Sequence, residues 1–274
     1  MNWRRIGAAL AAAALVLSAL AGCAQEKPQA TGMGDDLLAA IRARGEITVA
    51  LEGTWAPWGY HDGQDQLVGY DVEVSRRIAE KLGVAVNFVE GEFNGLLAGL
   101  EDGRYDIIVN GVGIDENRRE KYDFSVPYAY DRTAVIVRAD DDSIQAMEDL
   151  DGKQTANTLY STYAAVAEQY GAQVTGVDDF IQTIELLTTG RIDATLNAEV
   201  SYNDYMAQHP DAPIKVACMV PEATQVAIPM RKGEETAALR EAIDQALTEL
   251  AEEGVLTELS LRYFGMDLTE NGQE

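Results

Sequence analysis

The feature of the sequence that most constrains the fold is an internal repeat. At an offset of 87 residues, FNGLLAGLEDGRYDIIVN (93–110) aligns with FIQTIELLTTGRIDATLN (180–197). In each copy apolar residues at helical spacing end at a glycine, and a short strand then runs from an Asp to an Asn. Such a unit also occurs singly in α/β proteins, but the shared residues favour two related α/β lobes. Six of the eighteen positions are identical, namely Phe93/Phe180, Leu100/Leu187, Gly103/Gly190, Arg104/Arg191, Asp106/Asp193 and Asn110/Asn197.

Predicted strands and helices alternate around the first copy of this repeat. Ile47–Leu51 has the apolar run of a buried strand, and a helix is predicted over 71–82, with Asp71 as its cap and Gly83 at its end. This alternation predicts an α/β fold with mainly parallel strands. Ligands of open α/β sheets bind beyond the carboxyl ends of the strands, so Asn110 and Asn197 are expected on opposite walls of one cleft.

Charge and ligand chemistry exclude several classes of function. The chain has 21 Lys+Arg against 46 Asp+Glu, a formal net charge of −25. Binding to nucleic acid through phosphates needs a basic surface, which this composition does not supply. The two Cys and two His are far apart in the sequence, so they predict no zinc or haem site. We expect no metal and no cofactor.

The N-terminus has the pattern of an export signal. Arg4 and Arg5 precede an uncharged apolar run, Ile6–Leu20, which is too short for a stable membrane span. The sequence Leu20-Ala21-Gly22-Cys23 resembles the bacterial lipobox, which implies that Cys23 carries a diacylglyceryl anchor. The alternative is an ordinary signal peptide with a chance cysteine. We therefore predict a signal peptide over 1–22 and an anchor and tether over 23–44, which would hold the protein on the outer face of the cell membrane or facing the periplasm.

A glycine-rich turn followed by an arginine predicts a site for a small carboxylate. Gly111 and Gly113 allow the backbone to approach a ligand, and the following short helix can direct N–H groups at an anion. Arg118 lies five residues after Gly113 and can hold a carboxylate in a bidentate fork. The alternative is an ordinary turn before a helix, with Arg118 as a solvated surface charge.

The run DGRYDIIVNGVGIDENRREKYDFSVPYAY resembles the signature of the family 3 solute-binding proteins, the extracellular amino-acid receptors of ABC importers. Similarity extends over nearly all of 45–267 and is closest to the cystine-type branch in EGTWAPW, IIVNGVG and EKYDFSVPY. This resemblance implies a two-lobe periplasmic-binding-protein-like (type II, Venus flytrap) α/β fold with hinge strands. It places the first lobe at 45–132 plus 226–274, the second at 133–225, and the hinge near 133–138 and 224–228.

The resemblance also implies a set of ligand-binding residues. Arg118 would bind the ligand α-carboxylate, Ser161 and Thr162 would approach it from the second lobe, and Phe93 would form an aromatic wall. Glu52 and Trp55 occupy the positions of an acidic residue and an aromatic lid. The complete predicted ligand site is Glu52, Trp55, Phe93, Asn110, Gly111, Gly113, Arg118, Tyr160, Ser161, Thr162, Asn197 and Glu199.

Three positions depart from the family pattern. Gly113 replaces a Ser or Thr, and Tyr160 replaces a Gly, which is expected to narrow the pocket. Ala198 stands where the family has the Asp that pairs with the ligand ammonium. Glu199 would then swing in, or Glu52 would take the ammonium, or neutral acceptors would hold it.

The function that follows is ligand capture rather than catalysis. We expect a monomer that closes on a free amino acid, polar or cystine-like, and delivers it to an ABC permease with its ATPase subunit. Hinge closure would favour the bound state through contacts made only when the lobes are closed. The alternative is a cyclohexadienyl dehydratase-like enzyme on the same fold, for which Glu52 and Glu199 would be the acid and base candidates.

Overall fold

The computed structural model describes residues 36–270, in which helices and strands alternate along much of the chain. The helices are α1 (Leu37–Arg44), α2 (Tyr70–Leu82), α3 (Phe93–Glu101), α4 (Glu116–Lys121), α5 (Thr162–Gln169), α6 (Phe180–Thr188), α7 (Glu199–Gln208), α8 (Ala237–Glu252) and α9 (Val255–Phe264). The strands are β1 (Glu46–Leu51), β2 (Thr54–Trp55), β3 (Gly59–His61), β4 (Leu67–Val68), β5 (Ala85–Glu90), β6 (Ile107–Ile108), β7 (Tyr122–Phe124), β8 (Ala129–Asp131), β9 (Thr133–Arg138), β10 (Gln154–Thr158), β11 (Gln173–Val177), β12 (Ala194–Ala198), β13 (Ile214–Met219), β14 (Thr224–Val226) and β15 (Pro229–Arg231). Short 3-10 helices cover Met147–Leu150 and Glu234–Thr236.

The first sheet is parallel and has the strand order β5–β1–β6. On one face Val49 of β1 packs into the cluster formed with α1, α2, α8 and α9. On the other face Ala50 packs with Leu96 and Leu100 of α3. Successive side chains of a strand point to opposite faces, so a strand covered on both sides must be apolar throughout. This explains why β1 is apolar from Val49 to Leu51, where every residue is buried.

The second sheet has the strand order β11–β10–β12–β9–β13. Strands β10, β11 and β12 run parallel, whereas β9 is antiparallel to both of its neighbours. Val135 and Val137 of β9 face the cluster that contains α5. Ala134 and Ile136 face the cluster that contains α6. Helices therefore cover both faces of this sheet as well, and the buried β9 belongs to its interior.

Two chain segments connect the sheets. Strand β8 leads into β9 through Arg132, and β13 leads into β14 through residues 220–223. Strands β8 and β14 pair with each other in an antiparallel register from Thr224–Asp131 to Val226–Ala129. The chain thus crosses from the first sheet to the second and returns beside its outgoing path. The two-lobe α/β fold predicted from the sequence is confirmed.

The two copies of the repeat form the same local structure in the two lobes. Each is a helix followed by a strand, α3–β6 in the first lobe and α6–β12 in the second. The Oδ2 atom of Asp106 accepts the N–H of Thr48 at 2.7 Å, and the N–H of Asp106 donates to the Thr48 carbonyl at 3.0 Å. Asp193 makes the equivalent pair of bonds with Gln154, at 2.9 and 2.8 Å. The conserved Asp of the repeat therefore connects its own strand to the neighbouring strand in both lobes.

Two of the local predictions are corrected by the structure. Residues 37–44, assigned to the tether, form α1, because Leu38 and Ile41 are buried against the core and Asp36 caps the helix. Helix α2 begins at Tyr70 after Gly69, so Asp71 lies in its first turn, fully buried, and is not the cap.

The predicted signal peptide and Cys23 lie outside the described residues. Within 36–270, no helix is both long enough and apolar enough to span a membrane.

Candidate functional site

A cleft between the lobes collects residues from the strand ends of both sheets. Glu52 follows β1 and Asn110 lies just after β6, while Thr158 ends β10 and Asn197 lies in β12. Asn110 and Asn197 therefore line one cleft, as the repeat predicts. About 560 Å³ of space lies between the walls, including the part open to solvent. The lining residues are Glu52, Thr54, Trp55, Phe93, Asn110, Gly111, Gly113, Arg118, Asn157, Thr158, Ser161, Thr162, Tyr163, Asp179, Phe180, Thr183 and Asn197.

Arg118 is the basic residue of this cleft and is only 6% exposed. Its Nη1 donates to the Gly113 carbonyl at 2.6 Å, its Nη2 donates to the Tyr160 carbonyl of the second lobe, and its Nε lies 3.3 Å from Asp115 Oδ2. The guanidinium also lies over the Phe93 ring, 5.6 Å from the centroid. Burial lowers the pKa of Arg118, but a guanidinium keeps its charge in proteins. Because it has five N–H donors, it retains donors for a ligand carboxylate.

The two glycines before Arg118 leave space that other parts of the cleft occupy. Gly111 has a left-handed φ of 53°, and a Cβ there would lie 2.5 Å from Cζ3 of Trp55. A Cβ at Gly113 would lie 2.6 Å from Thr224 Cγ2 and 2.8 Å from Thr162 Cγ2. The presence of Gly113 in place of the Ser or Thr of the family pattern thus has a steric reason. A Ser or Thr side chain here would collide with the methyl groups of Thr224 and Thr162.

Glu52 and Asn110 are joined by a reciprocal pair of hydrogen bonds. The N–H of Glu52 donates to Asn110 Oδ1 at 2.8 Å, and Asn110 Nδ2 donates to Glu52 Oε2 at 2.8 Å. The pKa of Glu52 is raised to about 7, chiefly by burial; the hydrogen bond from Asn110 opposes this rise and the negative charge of Asp179 adds to it. Within residues 36–270, no group of three or more His, Cys, Asp or Glu side chains is arranged to hold a metal ion.

Trp55 joins the two walls of the cleft. Its ring stacks on Trp58 at 5.3 Å between centroids and meets the Tyr163 ring edge-on at 6.3 Å. Its Nε1 donates to Asn197 Oδ1 of the second lobe at 3.2 Å. Trp58 is fully buried and belongs to the core, so only Trp55 presents an aromatic surface to the cleft from this loop.

Two buried Tyr–Asp pairs support the walls from behind. Tyr128 Oη donates to Asp71 at 2.7 Å, and Asp71 also accepts a backbone hydrogen bond from Gly111. Tyr163 Oη donates to Asp131 at 2.8 Å. Burial raises the pKa of Asp71 to about 7 and that of Asp131 to about 6. These carboxyl groups hold Gly111 and Tyr163, and neither carboxyl lines the cleft itself.

Two of the predicted residues are not in the cleft. The Tyr160 side chain is 74% exposed and points away from it, so it does not narrow the pocket. Its φ of 63° explains why a glycine suits this position, and its contribution is the carbonyl that accepts from Arg118. Glu199 begins α7, and its carboxylate lies 3.4 Å from Arg132 between β8 and β9. The remaining predicted residues, Glu52, Trp55, Phe93, Asn110, Gly111, Gly113, Arg118, Ser161, Thr162 and Asn197, line the cleft.

Sequence reasoning missed several lining residues, some of which had a detectable signal. Phe180 is the repeat partner of Phe93, and both rings line the same cavity. Asn157 and Thr158 lie at the carboxyl end of β10, where ligands of α/β sheets bind. Tyr163 and Thr183 come from helix faces whose orientation only the folded chain reveals. The full set of missed residues is Thr54, Asn157, Thr158, Tyr163, Asp179, Phe180 and Thr183.

Comparison with known proteins identifies the class to which this cleft belongs. Residues 47–266 match the bacterial extracellular solute-binding proteins, family 3, and the chain belongs to that family. A probable amino-acid ABC transporter-binding protein of Haemophilus influenzae is 37% identical over 224 residues, 82% of this chain and 86% of that protein. The L-cystine-binding protein TcyA of Bacillus subtilis is 34% identical over 258 residues, 93% of this chain and 95% of that protein.

Solved structures show the same fold. An ancestral arginine-binding protein bound to arginine is 34% identical and superposes with a TM-score of 0.75, covering 81% of this chain and 99% of that one. The L-cystine solute receptor of Neisseria gonorrhoeae in its unliganded open conformation is 36% identical but superposes with a TM-score of 0.58, covering 85% and 99%. The chain is a solute-binding protein, and it superposes better on the arginine-bound structure than on the open one.

Proposed function

We propose that this protein captures a free amino acid between its two lobes and delivers it to an ABC permease. The observation that carries the proposal is Arg118, a buried guanidinium on the wall of an interlobe cleft. A buried charge needs compensation, and here the only ion pair of Arg118 among the described residues is with Asp115. Its other bonds are to neutral carbonyl groups, and a ligand carboxylate placed against the guanidinium would accept from the N–H donors that remain free.

The second lobe offers further groups to the same carboxylate. Ser161 caps α5, with its Oγ accepting the Ala164 N–H at 3.1 Å, so the hydroxyl hydrogen remains available as a donor. Thr162 is the first residue of α5, and its side chain approaches Gly113 across the cleft. The N-terminus of a helix carries partial positive charge and favours an anion. Arg118 from one lobe and the start of α5 from the other would thus hold the carboxylate jointly.

Glu52 is the proposed partner of the ligand ammonium. The position of the family's Asp is taken by Ala198, which is fully buried in β12. Glu199 is held by Arg132 and would have to break that ion pair to enter the cleft. Glu52 already lines the cavity and is oriented by its two hydrogen bonds with Asn110. Of the three alternatives that the sequence leaves open, Glu52 therefore has the strongest support.

Closure about the two connecting segments would produce the binding cycle. The proposed lobes are 45–132 plus 226–274 and 133–225, with the hinge near 133–138 and 224–228, next to the connecting segments at Arg132 and 220–223. In the described structure Arg118 and Trp55 of the first lobe bond to Tyr160 and Asn197 of the second. Ligand contacts made only in this closed arrangement would shift the equilibrium toward it. We propose that a monomer performs this cycle and that its partners are the permease and its ATPase subunit.

A screen for stabilising ligands tests this function. The full chain is heated with each standard amino acid and with cystine, since a ligand that binds only the folded state raises the melting temperature. At least one free amino acid should raise it. Arg118→Ala should weaken binding of that ligand on the order of a hundredfold, because it removes a buried charge partner of the carboxylate. The matched control is Arg119→Ala, which removes an exposed guanidinium outside the cleft and should leave affinity unchanged.

The absence of any stabilising amino acid would contradict the proposed function. Turnover of prephenate or arogenate by the same preparation would instead support the dehydratase alternative. We propose that the protein is a binding protein with no catalytic residues and expect no turnover. Of the two acid–base candidates for the enzyme, Glu52 lines the cleft and Glu199 does not.

We propose that the protein is located at the cell surface, on the basis of the sequence around Cys23. A lipid on this cysteine would hold the acidic domain beside the membrane that contains the permease. The mature protein, isolated from its native host, should begin at Cys23 and carry a diacylglyceryl group, measured by intact-protein mass spectrometry. Cys23→Ser should release the protein from the membrane fraction. An unmodified cysteine in the mature chain would contradict the lipoprotein assignment.

A further inference from the structure

The cleft holds more negative than positive charge. Glu52 and Asp179 line it with carboxyl groups, and Arg118 is the one basic side chain among its lining residues that the structure describes. Within 36–270, neither Glu52 nor Asp179 has a Lys, Arg or His nitrogen within 4.0 Å. A single ligand carboxylate bound by Arg118 would leave both acidic groups to be compensated by something else.

Asp179 is fixed in place by two hydrogen bonds. Its Oδ1 accepts the Gln182 N–H at 2.8 Å as the cap of α6, and its Oδ2 accepts from Gln182 Nε2 at 3.0 Å. Both bonds come from neutral donors, so they orient the carboxylate without neutralising it. Its charge is close enough to Glu52 to disfavour the ionised form of that residue. Two carboxylates that repel each other across a cavity create a site for positive charge.

Asn157 adds a neutral acceptor to the same wall. It lines the cleft but is only 1% exposed. Its Nδ2 donates to the Leu196 carbonyl at 2.6 Å, whereas its Oδ1 has no hydrogen-bond partner among the described residues. Buried polar atoms are nearly always bonded, so an unpartnered carbonyl oxygen at a binding cavity points to a donor supplied by the ligand. Glu52, Asp179 and Asn157 together form an acceptor set that requires a donor-rich ligand.

We propose that the ligand carries one carboxylate at Arg118 and two cationic nitrogen centres, which pair with Glu52 and Asp179. This inference rests on the proposed capture of a free amino acid and narrows its ligand. Two sources share this chemistry: a dibasic amino acid such as arginine or lysine, and cystine, whose two ammonium groups lie at opposite ends of a disulfide. In cystine the second carboxylate would lie toward the open side of the cleft.

A ligand with only one cationic centre fits this site less well. It would leave one of the two carboxylates unpaired when the lobes close, and closing an unpaired charge away from water is costly. An acidic amino acid would add a further negative charge beside Glu52 and Asp179. Affinity should therefore follow the number of cationic nitrogen atoms rather than the size of the side chain.

Matched ligand pairs test this directly by titration calorimetry on the full chain. The pairs are arginine with citrulline, lysine with Nε-acetyllysine, and cystine with mono-N-acetylcystine. Each pair keeps the α-amino acid group and removes one cationic centre. In at least one pair the dicationic member should bind about tenfold or more tightly than its comparator, a difference of about 1.4 kcal/mol. The pair that shows the effect distinguishes the dibasic source from cystine.

Asp179→Asn supplies the protein side of the test. Asparagine caps a helix as well as aspartate, so this variant removes the charge but keeps the cap of α6. It should weaken the dicationic ligand about tenfold while changing affinity for the comparator by less than about threefold. Asp178→Asn is the matched control, since it removes the same charge one residue away at an exposed position outside the cleft. It should change neither affinity.

Three outcomes overturn the inference. One is that, in every pair, the comparator binds as tightly as its dicationic partner. Another is an equal effect of Asp179→Asn on both members of the pair that binds. Both leave the proposed capture of an amino acid intact. If no amino acid binds at all, the proposed function fails and this inference fails with it.

Discussion

Glu52 is the residue whose ionisation should control binding. Burial raises its pKa to about 7, so that in the empty cleft much of it is neutral below that pH. A ligand ammonium pairs with the ionised form and not with the protonated one. Affinity should therefore fall as pH drops through about 7, by about tenfold between pH 8 and pH 6. Glu52→Gln should bind more weakly at pH 8 and lose most of this dependence, as measured by calorimetry at several pH values.

The same raised pKa predicts an effect on the stability of the empty protein. A carboxyl group with a higher pKa in the folded state than in the unfolded state stabilises the fold below the unfolded pKa. That contribution is lost as pH rises through the folded pKa of about 7. The melting temperature of Glu52→Gln minus that of the wild type should therefore be larger at pH 8 than at pH 5. Asp71 and Asp131 titrate in the same window, but their effects cancel in the difference between the two proteins.

At the scale of elements, the repeat unit explains how both walls of the cleft are positioned. Asp106 and Asp193 each make two hydrogen bonds to the neighbouring strand, and each lies four residues before an Asn that lines the cleft. Because the Asp and the Asn are only four residues apart, the bonds that fix the position of the Asp also fix where the Asn lies. The shared Asp therefore has the same role in both copies of the repeat, since each one fixes the start of a strand against its neighbour.

Removing this bond should destabilise the fold. Asp193→Ala leaves the Gln154 N–H without its side-chain acceptor and should lower the free energy of unfolding by about 1–2 kcal/mol. Asp193→Asn keeps an acceptor and should cost less. Asp102→Ala is a suitable control, because Asp102 is exposed at the end of α3 and a surface change there should stay within about 0.5 kcal/mol. Equal loss in all three variants, measured by urea denaturation, would contradict this role.

At the scale of the whole molecule, the proposed closure of the lobes would link them to ligand binding. Trp55 and Asn197 bond across the cleft, so Trp55→Phe keeps an aromatic side chain but removes this interlobe hydrogen bond. It should weaken ligand binding about fivefold, since one hydrogen bond contributes about 1 kcal/mol. Small-angle scattering should show a smaller radius of gyration for the wild type with ligand than without it.

A double-mutant cycle separates this contact from local damage. If Trp55→Phe and Asn197→Ala act through the same bond, the double variant should lose little more affinity than either single variant. Strictly additive losses would show that the bond does not contribute to closure. An unchanged radius of gyration on ligand addition would contradict the closing motion itself.

The sequence predicts the fold well because its information is local and periodic. An apolar run for β1, helical spacing that ends at Gly83, and a repeat whose Asn residues end their strands together define an α/β protein with a cleft. The predictions failed where a side chain depends on its surroundings. Residues 37–44 were assigned to the tether although most of them are apolar, and only the folded chain reveals that Leu38 and Ile41 are buried in the core.

The candidate site shows the same division. Glu52, Arg118 and the glycine positions were predictable because motifs and strand ends specify where a backbone passes. The position of Asp179 on the cavity and the exposure of Tyr160 could not be predicted, since each depends on how two distant segments meet. The steric need for Gly113 likewise arises from Thr162 and from residue 224, far away in the chain.

By itself the sequence determined the family, the two related lobes and the arginine that can bind a carboxylate. Only the tertiary structure decided which acids share a cavity with that arginine, because a charge acts through distance and burial, and neither is encoded in local spacing. It placed Glu52 and Asp179 on the cavity and Glu199 beside Arg132, outside it. The balance of charge in the cleft, and the ligand that it favours, therefore emerged only when the two lobes were brought together.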